Sequence, residues 1–183
     1  MRTWYALRVK GEVAELSIFD EIGGWGVPVS EFKAAFDKVR QAPAVRVVIN
    51  SPGGSVFDGM ALYNILSSIR EKLTVEVLGA AASVASVIAL AGRELVMGQG
   101  SYIMIHNPWA FSVGDSQEHL KVAGTLEKIR GEMANIYASR SKLSRDEVLA
   151  KMDAETWFTA DEAVEAGFAS SVRDYGEMAA RVQ

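Results

Sequence analysis

Val45-Arg46-Val47-Val48-Ile49-Asn50-Ser51-Pro52-Gly53-Gly54 decides the fold class. The β-branched run from Val45 to Ile49 reads as a buried strand, and its abrupt end on two glycines puts a loop at the strand's carboxyl end. A helix is expected next, with Leu62, Leu66 and Ile69 on one face. The pattern then recurs. Residues 73–78 predict a second strand, Gly79 is expected to break it, and Ala80 through Ala91 predict an almost wholly apolar helix ending at Gly92. Further strands are expected near 94–97 and 102–106. Strands alternating with helices in this way indicate an α/β fold.

Working outward, residues 3–19 alternate loosely, with Gly11-Glu12 where a turn would fall, and predict a hairpin within an N-terminal strand region, residues 1–28. Ser30 is expected to cap a helix carrying Phe32, Phe36 and Val39 and ending near Gln41, before Pro43. A long helix is predicted over 116–140. Its Val122, Leu126, Ile129, Met133 and Ile136 recur at steps of four and three, a heptad seam that calls for a partner helix. Two short helices close the chain, each with a capping box: Ser144 with Glu147, and Thr159 with Glu162.

With 183 residues, 49% of them hydrophobic, the chain suits one core, so residues 1–183 are expected to form a single domain. A net charge of -4 with no basic run argues against nucleic acid, because phosphate binding needs clustered Lys and Arg. The chain has no cysteine, which removes disulfides, thiolate metal sites and a thiol nucleophile, and fits a reducing cytoplasm. Only two histidines occur, His106 and His119, so no metal is expected, and no cofactor is called for. The start Met1-Arg2-Thr3-Trp4-Tyr5 lacks a secretory pattern, and the apolar stretch between Glu76 and Arg93 is too short and too rich in small residues to span a membrane. A cytoplasmic location without membrane attachment is the expectation.

Three features can carry chemistry. Ser83 follows a strand and a glycine at the start of a helix, where amides and the helix dipole favour negative charge. The alternative is that Ser83 and Ser86 are small residues that let an alanine-rich helix pack tightly. Gly53-Gly54 lets backbone amides approach a ligand, although such pairs also simply make turns. His106 emerges where the apolar strand 102–105 meets Asn107-Pro108, at the edge of a sheet where sites collect, and needs only hydrogen-bond reach to serve as a base. His119 competes, but its place on the long helix suggests a surface or interface role.

Taken in order, Val48-Ile49-Asn50-Ser51-Pro52-Gly53-Gly54-Ser55, Gly79-Ala80-Ala81-Ala82-Ser83, Met104-Ile105-His106-Asn107-Pro108 and Thr159-Ala160-Asp161-Glu162-Ala163 resemble the ClpP family, the proteolytic subunit of the Clp protease. The resemblance covers about residues 45–170. Phe57-Asp58-Gly59, Asn107-Pro108-Trp109 and Glu155-Thr156-Trp157 are most similar to the ClpP-like head-maturation proteases of phages and prophages. It implies the ClpP/crotonase-like fold of repeated β-β-α units, with residues 116–140 as a protruding handle helix. It also implies a serine endopeptidase with Ser83 as nucleophile, His106 as base and the amides of Gly54 and Val84 as oxyanion hole. The triad acid falls on Glu155 when the Trp157-Phe158-Thr159-Ala160 block is aligned without gaps, with Asp153 as the alternative. Val84 and Ala85 stand where the family often has methionine and glycine, which reshapes the pocket slightly. The implied assembly is a homo-oligomer of stacked rings, heptameric by resemblance, acting on protein or peptide substrates.

An AAA+ unfoldase is the partner that the family would supply. The first forty residues resemble the family least, and this chain has no Gly-x-x-x-x-Gly-Lys-Ser/Thr loop with which to hydrolyse ATP itself. Two other classes stay open: a crotonase-fold acyl-CoA enzyme, which would not need Ser83 and His106 paired, and a non-catalytic ring-forming homologue. A serine-lysine dyad is less well served, because the apolar helix after Ser83 offers no lysine.

Overall fold

The computed structural model describes residues 3–24 and 27–176. Met1-Arg2, on which the expectation of no secretory pattern partly rests, Trp25-Gly26 of the glycine-rich connection, and 177–183 lie outside the described residues. Strands β1 (Tyr5–Lys10) and β2 (Val13–Ile18) form an antiparallel hairpin that turns at Gly11-Glu12, as the alternation predicts. Helix α1 (Val29–Asp37) leads to β3 (Ala44–Ser51), α2 (Val56–Ser67) and β4 (Leu73–Ala82). Then come α3 (Val84–Ala89), β5 (Glu94–Gly98), β6 (Tyr102–Ile105) and α4 (Ser116–Ser139). The last elements are α5 (Arg145–Asp153), β7 (Thr156–Thr159), α6 (Ala160–Glu165) and β8 (Ser171–Arg173).

Among the described residues one mixed sheet forms in the order β1-β2-β3-β4-β5-β8, parallel from β2 onward. Strand β4 forks it. Its first half, Thr74 to Val77, pairs with β5, and its second half, Ala80 to Ala82, pairs with β6, which then takes β7 antiparallel. The α/β reading holds. Val45, Val47, Ile49, Val75 and Val77 are buried under the helices, so the β-branched run is core as its sequence indicates. Trp4 pins the hairpin to α1: its indole Nε1 donates to Val27 O at 2.9 Å and its ring stacks on Phe32.

Across the sheet's other face, Glu76 is buried with its charge neutralised. Arg46 and Arg173 pair with it, and Tyr175 O–H donates to it at 2.6 Å. Burial pushes the Glu76 carboxyl up, but hydrogen bonds from Arg46 and Tyr175 and the two guanidinium charges outweigh it and hold the group at about 2. This network ties β3, β4 and β8 together where aliphatic packing gives way to charge.

Three expectations need correction. Gly79 does not break β4, because the strand runs on to Ala82 and the apolar helix shrinks to six residues. The cause is Asn50, whose Oδ1 accepts from Ala80 N at 3.1 Å where the β3–β4 register shifts. A side chain at 79 would collide with that Asn50 oxygen, so glycine permits a close approach within a continuous strand. Ser30 is not a cap: α1 begins at Val29 behind Pro28, and Ser30 lies within its first turn. The seam on α4 does not wait whole for a partner. Met133 is buried in the chain's own core, because α4 packs there on α3 and α5.

No described helix is long and apolar enough to cross a membrane.

Candidate active site

Strands β3, β4 and β6 end at one edge of the sheet, and each contributes a loop to a cleft of about 730 Å³. After β3 comes Gly53-Gly54. A Cβ at Gly53, where φ is +101°, would lie 2.7 Å from Ser83 Cβ and 2.8 Å from Ala82 O, and one at Gly54, where φ is +142°, would overlap Ile22 O. Both glycines are therefore required by close approach. Ile22 N donates to Gly53 O and Ser55 N donates to Ile22 O. In such a parallel bridge the intervening Gly54 N–H points away from Ile22.

After β4 comes Ser83, with φ 55° and ψ -134°, a backbone conformation sparsely populated by residues with side chains. Its own N–H is spent on Met104 O at 3.0 Å, which leaves the next amide, Val84 N–H, at the open first turn of α3. Ser86 fixes the turn from behind. Its Oγ donates to Ser83 O at 2.6 Å, so the single hydroxyl proton is used and Tyr137 O–H must donate to Ser86 Oγ, 2.7 Å away. Tyr137 is fully buried, and burial raises its phenol well above the usual range despite the Ser86 bond, so it stays a donor.

After β6 comes His106, whose Nε2 lies 2.7 Å from Ser83 Oγ. Glu155 Oε2 lies 3.8 Å from the opposite ring nitrogen, Nδ1. Asp153 is turned elsewhere. Its Oδ1 accepts from Asn107 Nδ2 at 2.9 Å and from Arg130 Nη2 at 2.7 Å, and these bonds, with the Arg130 charge, hold its carboxyl below the usual range. His119, the other histidine, lies on α4, where its Nδ1 is 2.8 Å from the Ser112 hydroxyl and exposed to solvent.

The fold thus brings together Ser83, His106, Gly54, Val84 and, less closely, Glu155, and it sets Asp153 aside. Opposite them Val122, Leu126 and Ile129 of α4 line the same cleft, with the exposed aromatic rings of Phe57 and Trp109. The seam read from the sequence here forms an apolar wall of the cleft. Sequence reasoning missed Arg130 and Asn107, because an arginine one position beyond a seam residue carries no signal of its own. The arrangement provides a hydroxyl with a base in hydrogen-bond reach, two amides free to face an oxyanion, and an apolar pocket beside them. Among the described residues no group of three His, Cys, Asp or Glu side chains is placed to hold a metal ion.

The chain is similar to known proteins over most of its length. The family profile described as Clp protease matches residues 34–175. An ATP-dependent Clp protease proteolytic subunit of Bacteroides fragilis is 34% identical over 138 residues, covering 74% of this chain and 67% of the relative. The same-named protein of Chlorella vulgaris is 34% identical over 134 residues, covering 72% of this chain and 67% of its own. A proteolytic subunit 2 from Tropheryma whipplei is 30% identical over 128 residues, covering 68% and 71%. The matched stretch thus spans about two thirds of the length of these curated relatives.

Proposed function

The chain belongs to the Clp protease family, and from that premise we propose that it is a serine endopeptidase that cleaves peptide bonds through an acyl-enzyme. Relatives named as Clp protease proteolytic subunits support a peptidase function. The observation that carries the proposal is the 2.7 Å separation of His106 Nε2 and Ser83 Oγ within the cleft. His106 takes the Ser83 proton as Oγ attacks the scissile carbonyl, and the Gly54 and Val84 amides receive the oxyanion. The imidazolium then protonates the leaving amine. Water, activated by the same imidazole, releases the acyl group and returns the hydroxyl. Glu155, facing Nδ1, is the acid that orients the ring and stabilises its positive form, and its 3.8 Å gap closes when substrate binds. The apolar wall of α4 receives a hydrophobic side chain of the substrate.

The activity belongs in an oligomeric chamber of stacked rings, in which α4 acts as the handle. What supports this is the exposed apolar run after His106, with Phe111 92% and Val113 99% exposed beside Trp109. The variants at 57–59, 107–109 and 155–157 support a phage or prophage head-maturation role, with capsid or scaffold proteins as substrates. An AAA+ unfoldase would serve as an external partner, since hydrolysis at Ser83 itself consumes no ATP. Ser83→Ala should abolish cleavage of a small fluorogenic peptide while leaving assembly unchanged, because it removes one hydroxyl and keeps the Cβ that the backbone at 83 already accommodates. Retained cleavage by the pure variant sinks the mechanism.

A further inference from the structure

Three side chains outside the Ser83–His106 pair close a triangle of hydrogen bonds. Asp153 Oδ1 accepts from Asn107 Nδ2 at 2.9 Å and Arg130 Nη2 at 2.7 Å, and Arg130 Nε donates to Asn107 Oδ1 at 3.0 Å. Each corner thereby fixes the other two, and the planar guanidinium serves two acceptors at once, which a lysine ammonium does less rigidly. The corners come from three parts of the fold. Arg130 lies in the middle of α4, Asp153 is the last residue of α5, and Asn107 follows β6.

Their positions along the chain give the triangle its meaning. Asn107 is the neighbour of His106, and Asp153 stands two residues before Glu155. Glu155 is long and 61% exposed, so its approach to His106 Nδ1 depends on where the backbone at 155 is held. That backbone has φ 48°, just past the end of α5, and is anchored from the α5 side at Asp153.

We propose that Arg130, Asn107 and Asp153 form a positioning clamp that holds the segments carrying His106 and Glu155 in register, and that Asp153 acts through this clamp and not by facing the imidazole. The proposal rests on the reading of Ser83 and His106 as a peptidase pair. Exposed ion pairs contribute little to stability, so the clamp's effect falls on geometry at the reacting atoms, where small displacements are costly. It also gives the α4 helix a second use, as the fixed wall to which the two catalytic loops are tied.

The test compares Arg130→Met, Asp153→Ala, their double variant and Asp153→Asn on a small fluorogenic peptide, with thermal melting of each. Arg130→Met and Asp153→Ala should each lower kcat about tenfold and leave KM within about twofold, with the melting temperature little changed. The double variant should be no worse than the worse single one, because each breaks the same triangle. Asp153→Asn keeps an Oδ1 acceptor in place and should restore most of the activity. Unchanged kcat in both single variants overturns the clamp, as do multiplying losses in the double variant. So does an Asp153→Asn as inactive as Asp153→Ala, which would mean that the charge itself acts on His106. A fall in kcat that only follows a fall in melting temperature reduces the triangle to a structural tie and also overturns it. In the first cases the peptidase reading stands if Ser83→Ala is inactive. Cleavage that survives Ser83→Ala overturns both.

Discussion

Ser83 was legible because a strand and a glycine lead into an apolar helix there, and His106 because an apolar strand gives way to a loop, and parallel strands put such ends on one edge. The carboxylate was legible only through the family resemblance, whose gapless alignment favours Glu155 over Asp153. Two acids two residues apart look alike on paper, and only the backbone separates them: Glu155 has φ 48° and turns toward His106, while Asp153 ends α5 and turns toward Arg130. The strained backbones at Ser83 and Glu155 each cost on the order of 1–3 kcal/mol, which the surrounding structure must offset. Glu155→Gln keeps the shape and removes the charge that supports the imidazolium, so turnover should fall on the order of 10- to 100-fold. Asp153→Asn should stay within a few-fold of the wild type. Steady-state kinetics on one peptide substrate ranks the two, and the reverse order would move the triad role to Asp153.

Element boundaries were legible where a local device sets them. Both capping boxes are present, Ser144 with Glu147 and Thr159 with Glu162, and the helices start there. Boundaries set by distant partners were not: β4 passes through Gly79 because Asn50 reaches it from another strand, and β7 exists because β6 pairs with it. The meeting of α2 and α3 is a second long-range effect. Gly59 lies so close to Val84 that a Cβ there would overlap the valine methyls. Gly59→Ala should therefore push α3, and with it the Val84 amide, costing about 1–3 kcal/mol of stability and part of the activity. Val84→Ala removes the obstructing methyls, so the double variant should melt and turn over closer to the wild type than Gly59→Ala does. If Val84→Ala brings no recovery, the two helices do not meet as described.

At the scale of the whole molecule, the heptad seam shows how a correct pattern can have more than one reader. Steps of four and three announce an apolar stripe, but not whether core, ligand or second subunit covers it. Met133 is buried in the core and also lines the cleft with Val122, Leu126 and Ile129, while Phe111 and Val113 after His106 are left to solvent. Glutamates at Ile129 and Met133 would consequently damage cleft and core together. Phe111→Asp with Val113→Asp charges the exposed run alone, and sedimentation velocity should then show smaller particles than the wild type. A wild type that is monomeric and fully active would place the catalytic unit in the single chain, and a double variant that sediments unchanged would mean that the exposed run is not the contact between subunits.

The central claim is that Ser83 is a nucleophile made reactive by His106. Intact-mass measurement after treatment with a serine-reactive fluorophosphonate addresses it without knowledge of the natural substrate. The account predicts one adduct per chain, mapped to Ser83, absent from Ser83→Ala and formed far more slowly by His106→Ala. A folded wild-type protein that takes no adduct at Ser83, as an acyl-CoA enzyme of related fold would not, contradicts it.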